Sequence, residues 1–114
     1  QPQQQNGDNN EQFVCALFKK NEFISRLEFV TCSITSSIHI LWFETVEHYR
    51  GHGFGLQLLQ SFIEYVRRSN FTTVTLDDVS DNARKPNNNI YVKCGFQYVK
   101  PSGNEPEMIQ HLSL

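Results

Sequence analysis

Residues 47–62 read EHYRGHGFGLQLLQSF, with glycines at 51, 53 and 55 directly ahead of an apolar pattern. Leu58, Leu59, Phe62, Ile63 and Val66 recur at three- and four-residue spacing, which predicts an amphipathic helix from about 53 to 69. A glycine-rich turn opening a helix leaves backbone N–H groups unpaired, with the positive end of the helix dipole behind them. Such a turn suits phosphate. The helix's first turn has no carboxylate to compete, and Arg50 and His52 flank the glycines. Glycines that only permit a tight turn are the competing explanation, but three at alternate positions, with Arg50 ahead of the first and His52 between the first two, favour the anion site.

Working outward, FVCALF (13–18) and EFISRLEFVTCSIT (22–35) read as two strands of a hairpin across the polar KKN. SIHILWFETV (37–46) is a third strand with bulky apolar residues on both faces, expected to be central and covered on both sides. Beyond the helix, Arg67 and Arg68 suit its last turn and Asn70 a left-handed stop. FTTVTLDD (71–78) is a β-branched strand. Strand, glycine loop, helix and strand form a crossover unit, so these two strands are expected to lie parallel in one sheet. In the remainder, Pro86 fits the start of a short helix, Gly95 its left-handed exit, and FQYVK and EMIQHLSL the last two strands.

The 114 residues, 39% of them hydrophobic, suffice for one domain with one modest core, expected over 13–114 behind a polar tail at 1–12. A formal charge of -2 gives no electrostatic reason to expect nucleic acid or an anionic membrane as partner. No apolar run approaches the roughly 20 residues that cross a bilayer, and QPQQQNGDNN lacks the order of a signal peptide. The expected location is therefore cytoplasmic. Cys15, Cys32 and Cys94 are too few and too scattered for a disulfide framework and read as reduced, mostly buried thiols. The histidines show no ligand spacing with them, so no metal site is expected.

Which phosphate ligand is meant narrows by comparison of loops. A Walker loop needs Lys and Ser or Thr after its last glycine, whereas Leu56 and Gln57 follow Gly55. A dinucleotide fingerprint needs GxGxxG tight against its strand, and here the sixth position is Leu56. Asp77 and Asp78 at the end of the next strand keep that alternative open.

YRGHGFGLQLL resembles the acyl-CoA pyrophosphate loop of the GCN5-related N-acetyltransferases, Arg50, Gly53 and Gly55 filling its pattern of Arg or Gln, two residues, Gly, any residue, Gly or Ala. NNIYVKCGFQYV is similar to the family's late Tyr-x-x-x-Gly-Phe block, met by Tyr91, Gly95 and Phe96, and the two blocks stand about 40 residues apart in the right order. LDDVSDN and a later PEM also resemble short acetyltransferase-like proteins of large DNA viruses. The family resemblance implies an α/β fold: a mixed, mostly antiparallel sheet flanked by helices, its central parallel pair splayed around acetyl-CoA. The family's first strand and two helices have no counterpart ahead of Phe13. The implied activity is N-acetyl transfer from acetyl-CoA to a primary amine, on a small molecule, peptide or protein, by direct attack. A non-catalytic acyl-CoA-binding domain of the same fold is the alternative, and either is compatible with a homodimer.

The resemblance also implies roles. Residues Phe43, Thr45 and Val46 lie where the central strand offers backbone groups to the pantetheine arm. Arg50, Gly51, His52, Gly53, Phe54, Gly55 and Leu56 would hold the pyrophosphate. The family's Asn before the last helix falls on Arg84 by spacing, or on Asn82 if RKP is an insertion. Tyr91 matches the tyrosine that protonates the departing sulfur. For the base, His39 shares an alternating face with Ser37, Leu41 and Phe43, and a histidine titrating near an ordinary 6.5 suits proton removal. Asp77 stands where some relatives place a catalytic glutamate, and Glu44 is a third candidate. Cys94, beside Gly95 at a helix end, reads as packing rather than as a nucleophile.

Overall fold

Lys20 and Asn21 both adopt positive φ, 52° and 68°, the geometry of a two-residue hairpin turn. They join β1 (Asn10–Lys19) to β2 (Glu22–Cys32), which pairs in turn with β3 (Ser37–Thr45), all antiparallel. The computed structural model describes residues 10–79, 89–100 and 107–112. A short 3-10 turn and the glycine loop lead into α1 (Phe54–Arg67), and the chain crosses back to β4 (Thr73–Asp77), parallel to β3. After α2 (Ile90–Cys94) come β5 (Gln97–Lys100) and β6 (Glu107–His111), and β6 inserts between β4 and β5. The six strands lie in the order β1-β2-β3-β4-β6-β5. A mixed, mostly antiparallel sheet with one central parallel pair is therefore the architecture.

Leu58, Leu59, Phe62, Ile63 and Val66 of α1 are all buried, against Leu27, Phe29, Ile38, Ile40, Val74 and Leu76 of the sheet. Phe29 and Phe62 meet at 4.8 Å between ring centroids. Each fully buried apolar side chain of this kind contributes about 1.5–3 kcal/mol, so this one helix face anchors the fold.

Several expectations change in detail. β1 begins at Asn10, paired with Cys32, so residues 10–12 belong to the sheet and not to a tail. The helix does not stop at a left-handed Asn70, since no non-glycine beyond Ser36 among the described residues has positive φ. Tight turns from Arg68 N to Tyr65 O and Ser69 N to Val66 O close it instead. The three cysteines are free, but half-buried rather than buried. Pro86 lies outside the described residues, and α2 itself begins only at Ile90.

The largest correction concerns β3. Phe29 pairs with Ile40 and Glu28 with Trp42, so Leu41 is an extra residue on β3, a one-residue bulge. A single inserted residue exchanges the two faces of everything after it. Ile38, Ile40 and Phe43 therefore face the helix side with Leu27 and Phe29, while His39, Trp42 and Glu44 face away from it. The expected face of Ser37, His39, Leu41 and Phe43 is broken at the bulge. Nor is the strand covered on both sides, because Leu41 is 48% and Trp42 47% exposed.

α2 is only five residues long, and its ends are held firmly. Asn89 Oδ1 accepts from the N–H groups of Tyr91 (2.8 Å) and Val92 (3.2 Å), and Gly95 at φ 109° closes the other end. The same Asn89 donates through Nδ2 to Asp78 Oδ2 at 2.6 Å and to the Tyr98 hydroxyl at 3.3 Å, with Asp78 and Asn89 both buried. Asn89→Ala should destabilise the fold by about 2–4 kcal/mol, the sum of a lost cap and a lost hydrogen bond to a buried carboxylate. Urea unfolding checks it. A shift below about 0.5 kcal/mol would mean that this network holds nothing in place.

Candidate active site

The parallel ladder between β3 and β4 runs only from Ser37 and Thr73 to Ile40 and Leu76. Beyond that point the strands part. A cavity of about 320 Å³ opens at the divergence, walled by His39, Leu41, Trp42, Phe43, Asp77, Val79 and Tyr91 among others.

His39 and Asp77 stand on the two diverging strands. His39 Nδ1 lies 2.7 Å from Thr75 Oγ1, and its Nε2 lies 3.8 Å from Asp77 Oδ2. The two candidate bases, rivals in the sequence, form one cross-strand pair. Glu44 is committed elsewhere, accepting from Trp42 Nε1 at 2.9 Å and pairing with Arg26 at 3.2 Å.

Tyr91 enters the cavity from α2, its ring 6.0 Å from those of Phe43 and Phe96. Burial first, and the charge of Asp78 second, hold its phenol well above the ordinary tyrosine range. It stays a neutral hydrogen-bond donor at any working pH. Burial likewise pushes the Cys94 thiol up to about 11, against a smaller opposing effect of Arg67, so Cys94 is no thiolate nucleophile.

The backbone of β3 supplies groups selectively. Val46 is fully occupied: its N–H donates to Ile24 O at 2.8 Å and its carbonyl accepts from Tyr49 N at 2.9 Å. Val46 is therefore corrected as a backbone contact for a ligand. Because its N–H points toward β2, strand alternation turns the groups of Thr45 and Phe43 the other way, into the split. The Thr45 carbonyl already accepts from Arg50 Nε at 2.9 Å, which leaves its N–H and both groups of Phe43 outside the described β3–β4 ladder.

At the glycine loop, Gly51 and Gly53 sit at φ 82° and 84°, and Gly53 caps α1 with no side-chain hydrogen bond and no acid in the first turn. Gly55 lies so close to the sheet that a Cβ there would stand 3.0 Å from Thr45 Oγ1 and 3.4 Å from Phe43 Cζ and Ile90 Cδ1. A second cavity, of about 440 Å³, lies over this loop. Thr45, Arg50, Gly51, Gly53, Phe54, Gly55 and Leu56 line it, joined by Tyr49, Ile90 and Lys93. His52 is not on its wall; the ring is exposed, 6.3 Å from that of Phe54. Asn82 and Arg84 lie outside the described residues.

The family model for acetyltransferases of the GNAT family matches residues 2–96. The chain belongs to the GNAT family. Among solved structures, an acetyltransferase from Bacillus cereus superposes on this GNAT domain with TM-score 0.74 at 16% identity, over 92% of this chain and 76% of that one. Tetrahymena GCN5 gives 0.71 at 14% identity, over 90% and 69%. The PaiA N-acetyltransferase of Thermoplasma acidophilum, crystallised with coenzyme A, gives 0.71 at 17%, over 88% of this chain and 60% of that one. At such identities the likeness is one of fold. No curated protein sequence matches. The GNAT domain thus spans between about six and eight tenths of these relatives' length.

An acyl-CoA suits both cavities. The loop offers a glycine cradle, a helix start without acid, and cations from Arg50 and Lys93, while the split offers backbone groups and a protonated phenol. Three side chains of this site escaped the sequence. Lys93 joins the loop only through packing of α2 on α1; Asn89 was one asparagine among three; Trp42 read as core until the bulge turned it outward.

Proposed function

We propose that this GNAT domain transfers an acetyl group from acetyl-CoA to a primary amine by direct attack. The observation that carries the reading is the convergence of His39, Asp77 and Tyr91 on one cavity at the point where β3 and β4 part. Acetyl-CoA supplies an activated acyl thioester. The protein's residues do the rest. The His39–Asp77 pair takes a proton from the acceptor's ammonium, so that the free amine can attack the carbonyl. A free N–H of Phe43 or Thr45 polarises the carbonyl oxygen as negative charge builds on it. Tyr91 donates a hydrogen bond to the departing sulfur. Because its own proton is tightly held, the proton that ends on the sulfur is the second one lost by the attacking nitrogen.

Calorimetry with acetyl-CoA, run beside a free-thiol assay on a panel of primary amines, tests the reading. Binding together with amine-dependent thiol release is expected. Binding without release on any amine would make this a non-catalytic acyl-CoA-binding domain.

The loop makes its own prediction. A Cβ at Gly53 would project into open space over the loop while holding a backbone conformation that costs a side chain about 1–3 kcal/mol. Gly53→Val should weaken CoA at least tenfold, about 1.4 kcal/mol, in a protein that remains folded. An unchanged dissociation constant in the folded variant would remove the pyrophosphate from this loop.

A further inference from the structure

Trp42 is half exposed at the mouth of the split, yet its ring is held in place by a relay of charges. Its Nε1 donates to Glu44 Oε1 at 2.9 Å. Glu44 Oε2 lies 3.2 Å from Arg26 Nε, an ion pair rather than an aligned hydrogen bond, and Arg26 Nη2 lies 3.1 Å from Glu28 Oε2. An exposed tryptophan gains little stability from such anchoring, since solvent-exposed ion pairs contribute little. What the anchoring fixes is the direction in which the indole face is presented. By register, Arg26, Glu28, His39, Trp42 and Glu44 occupy one face of the sheet, turned away from α1, and Asp77 joins Trp42 and His39 in the cavity wall. Among the described residues, Glu28, Glu44 and Asp77 stand there, with Glu107 opposite Asp77 in the ladder, against the guanidinium of Arg26, already paired. The apolar side chains beside the indole, Leu41 and Val79, are exposed as well.

An indole face beside uncompensated carboxylates attracts a positive charge by its quadrupole and by the surrounding field. We infer that Trp42 forms an acceptor subsite for a second cationic group, so that the preferred acceptor is a small amine with two or more ammonium groups. Resting on the acetyl-transfer reading, the inference names its substrate class. In this arrangement the His39–Asp77 pair receives the reacting amine, and Trp42, with Glu44 behind it, receives the distant one. Arg26 is a positioning residue that acts through Glu44.

The chain's one tryptophan reports on its own ligand. Titrating the full chain, saturated with CoA, with 1,4-diaminobutane or with n-butylamine compares two probes with the same four-carbon chain that differ in one ammonium. The diamine is expected to change Trp42 fluorescence and to bind at least tenfold more tightly. With acetyl-CoA, Trp42→Ala is expected to raise KM for the diamine at least tenfold, to change KM for n-butylamine far less, and so to bring the two amines to similar KM values. Arg26→Gln should raise the diamine KM by a smaller factor. Equal binding of the two probes, or a diamine preference that survives Trp42→Ala, overturns the subsite even if acetyl transfer is robust. A selective fluorescence response to the diamine with no thiol release supports the subsite and removes the transferase reading instead.

Discussion

His39→Ala is expected to lower the rate of acetyl transfer by about 10²–10⁴-fold, the contribution of a positioned general base, and to leave CoA affinity unchanged. Asp77→Asn is expected to cost less, because Asp77 acts through the imidazole it faces at 3.8 Å and that ring also has Thr75 as a partner. Combining the two should cost no more than His39→Ala alone, since groups that work as a unit are not additive. Initial rates at saturating acetyl-CoA for the wild type, the two single variants and the double variant provide the check. If Asp77→Asn costs more than His39→Ala, Asp77 is the base. If the two losses multiply in the double variant, the residues work independently and the pair has no catalytic meaning.

Tyr91→Phe keeps the ring between Phe43 and Phe96 and removes only the hydroxyl. Acetyl transfer should slow by one to two orders of magnitude, roughly 1.4–2.7 kcal/mol in the barrier, with CoA binding and midpoint temperature little altered. Wild-type rates in the variant, where chemistry limits turnover, would make Tyr91 a packing residue. The partly buried phenol has a second signature. Folding favours its neutral form, so its contribution to stability is complete below the unfolded value of about 10 and is lost as pH climbs above it. Tyr91→Phe should therefore be less sensitive to alkali than the wild type.

The glycine loop, the helix behind it and the parallel return to β4 were all legible, because a 3.6-residue apolar period and paired glycines are local signals. Gly95 was legible for the same reason, its left-handed exit closing a helix at a fixed distance from Tyr91. The bulge at Leu41 was not. It exists only as an agreement between β3 and β2, and IHILWF alone gives no sign of where the alternation breaks. Two misreadings of the central strand follow from that one residue: the false shared face of His39 and Phe43, and the expected cover over Trp42. Asn89 was hidden differently. As a helix cap it is a local feature, but its other bond, to buried Asp78, spans eleven positions. That contact ties the end of β4 to the start of α2, and so fixes where Tyr91 stands.

The bulge also separates two kinds of tolerance along this chain. At position 41 the side chain is half exposed and many replacements would be accommodated, whereas its neighbours Ile40 and Trp42 are each tied to a partner on β2. Removing Leu41 would leave a regular ladder in which Ile40 still pairs with Phe29 and Trp42 with Glu28, so Phe43 and Thr45 would keep the cofactor side and Trp42 and Glu44 the acceptor side. Among descendants of this sequence, residue 41 is thus free to vary in kind, and its loss is a shortening of the strand that leaves both surfaces in place.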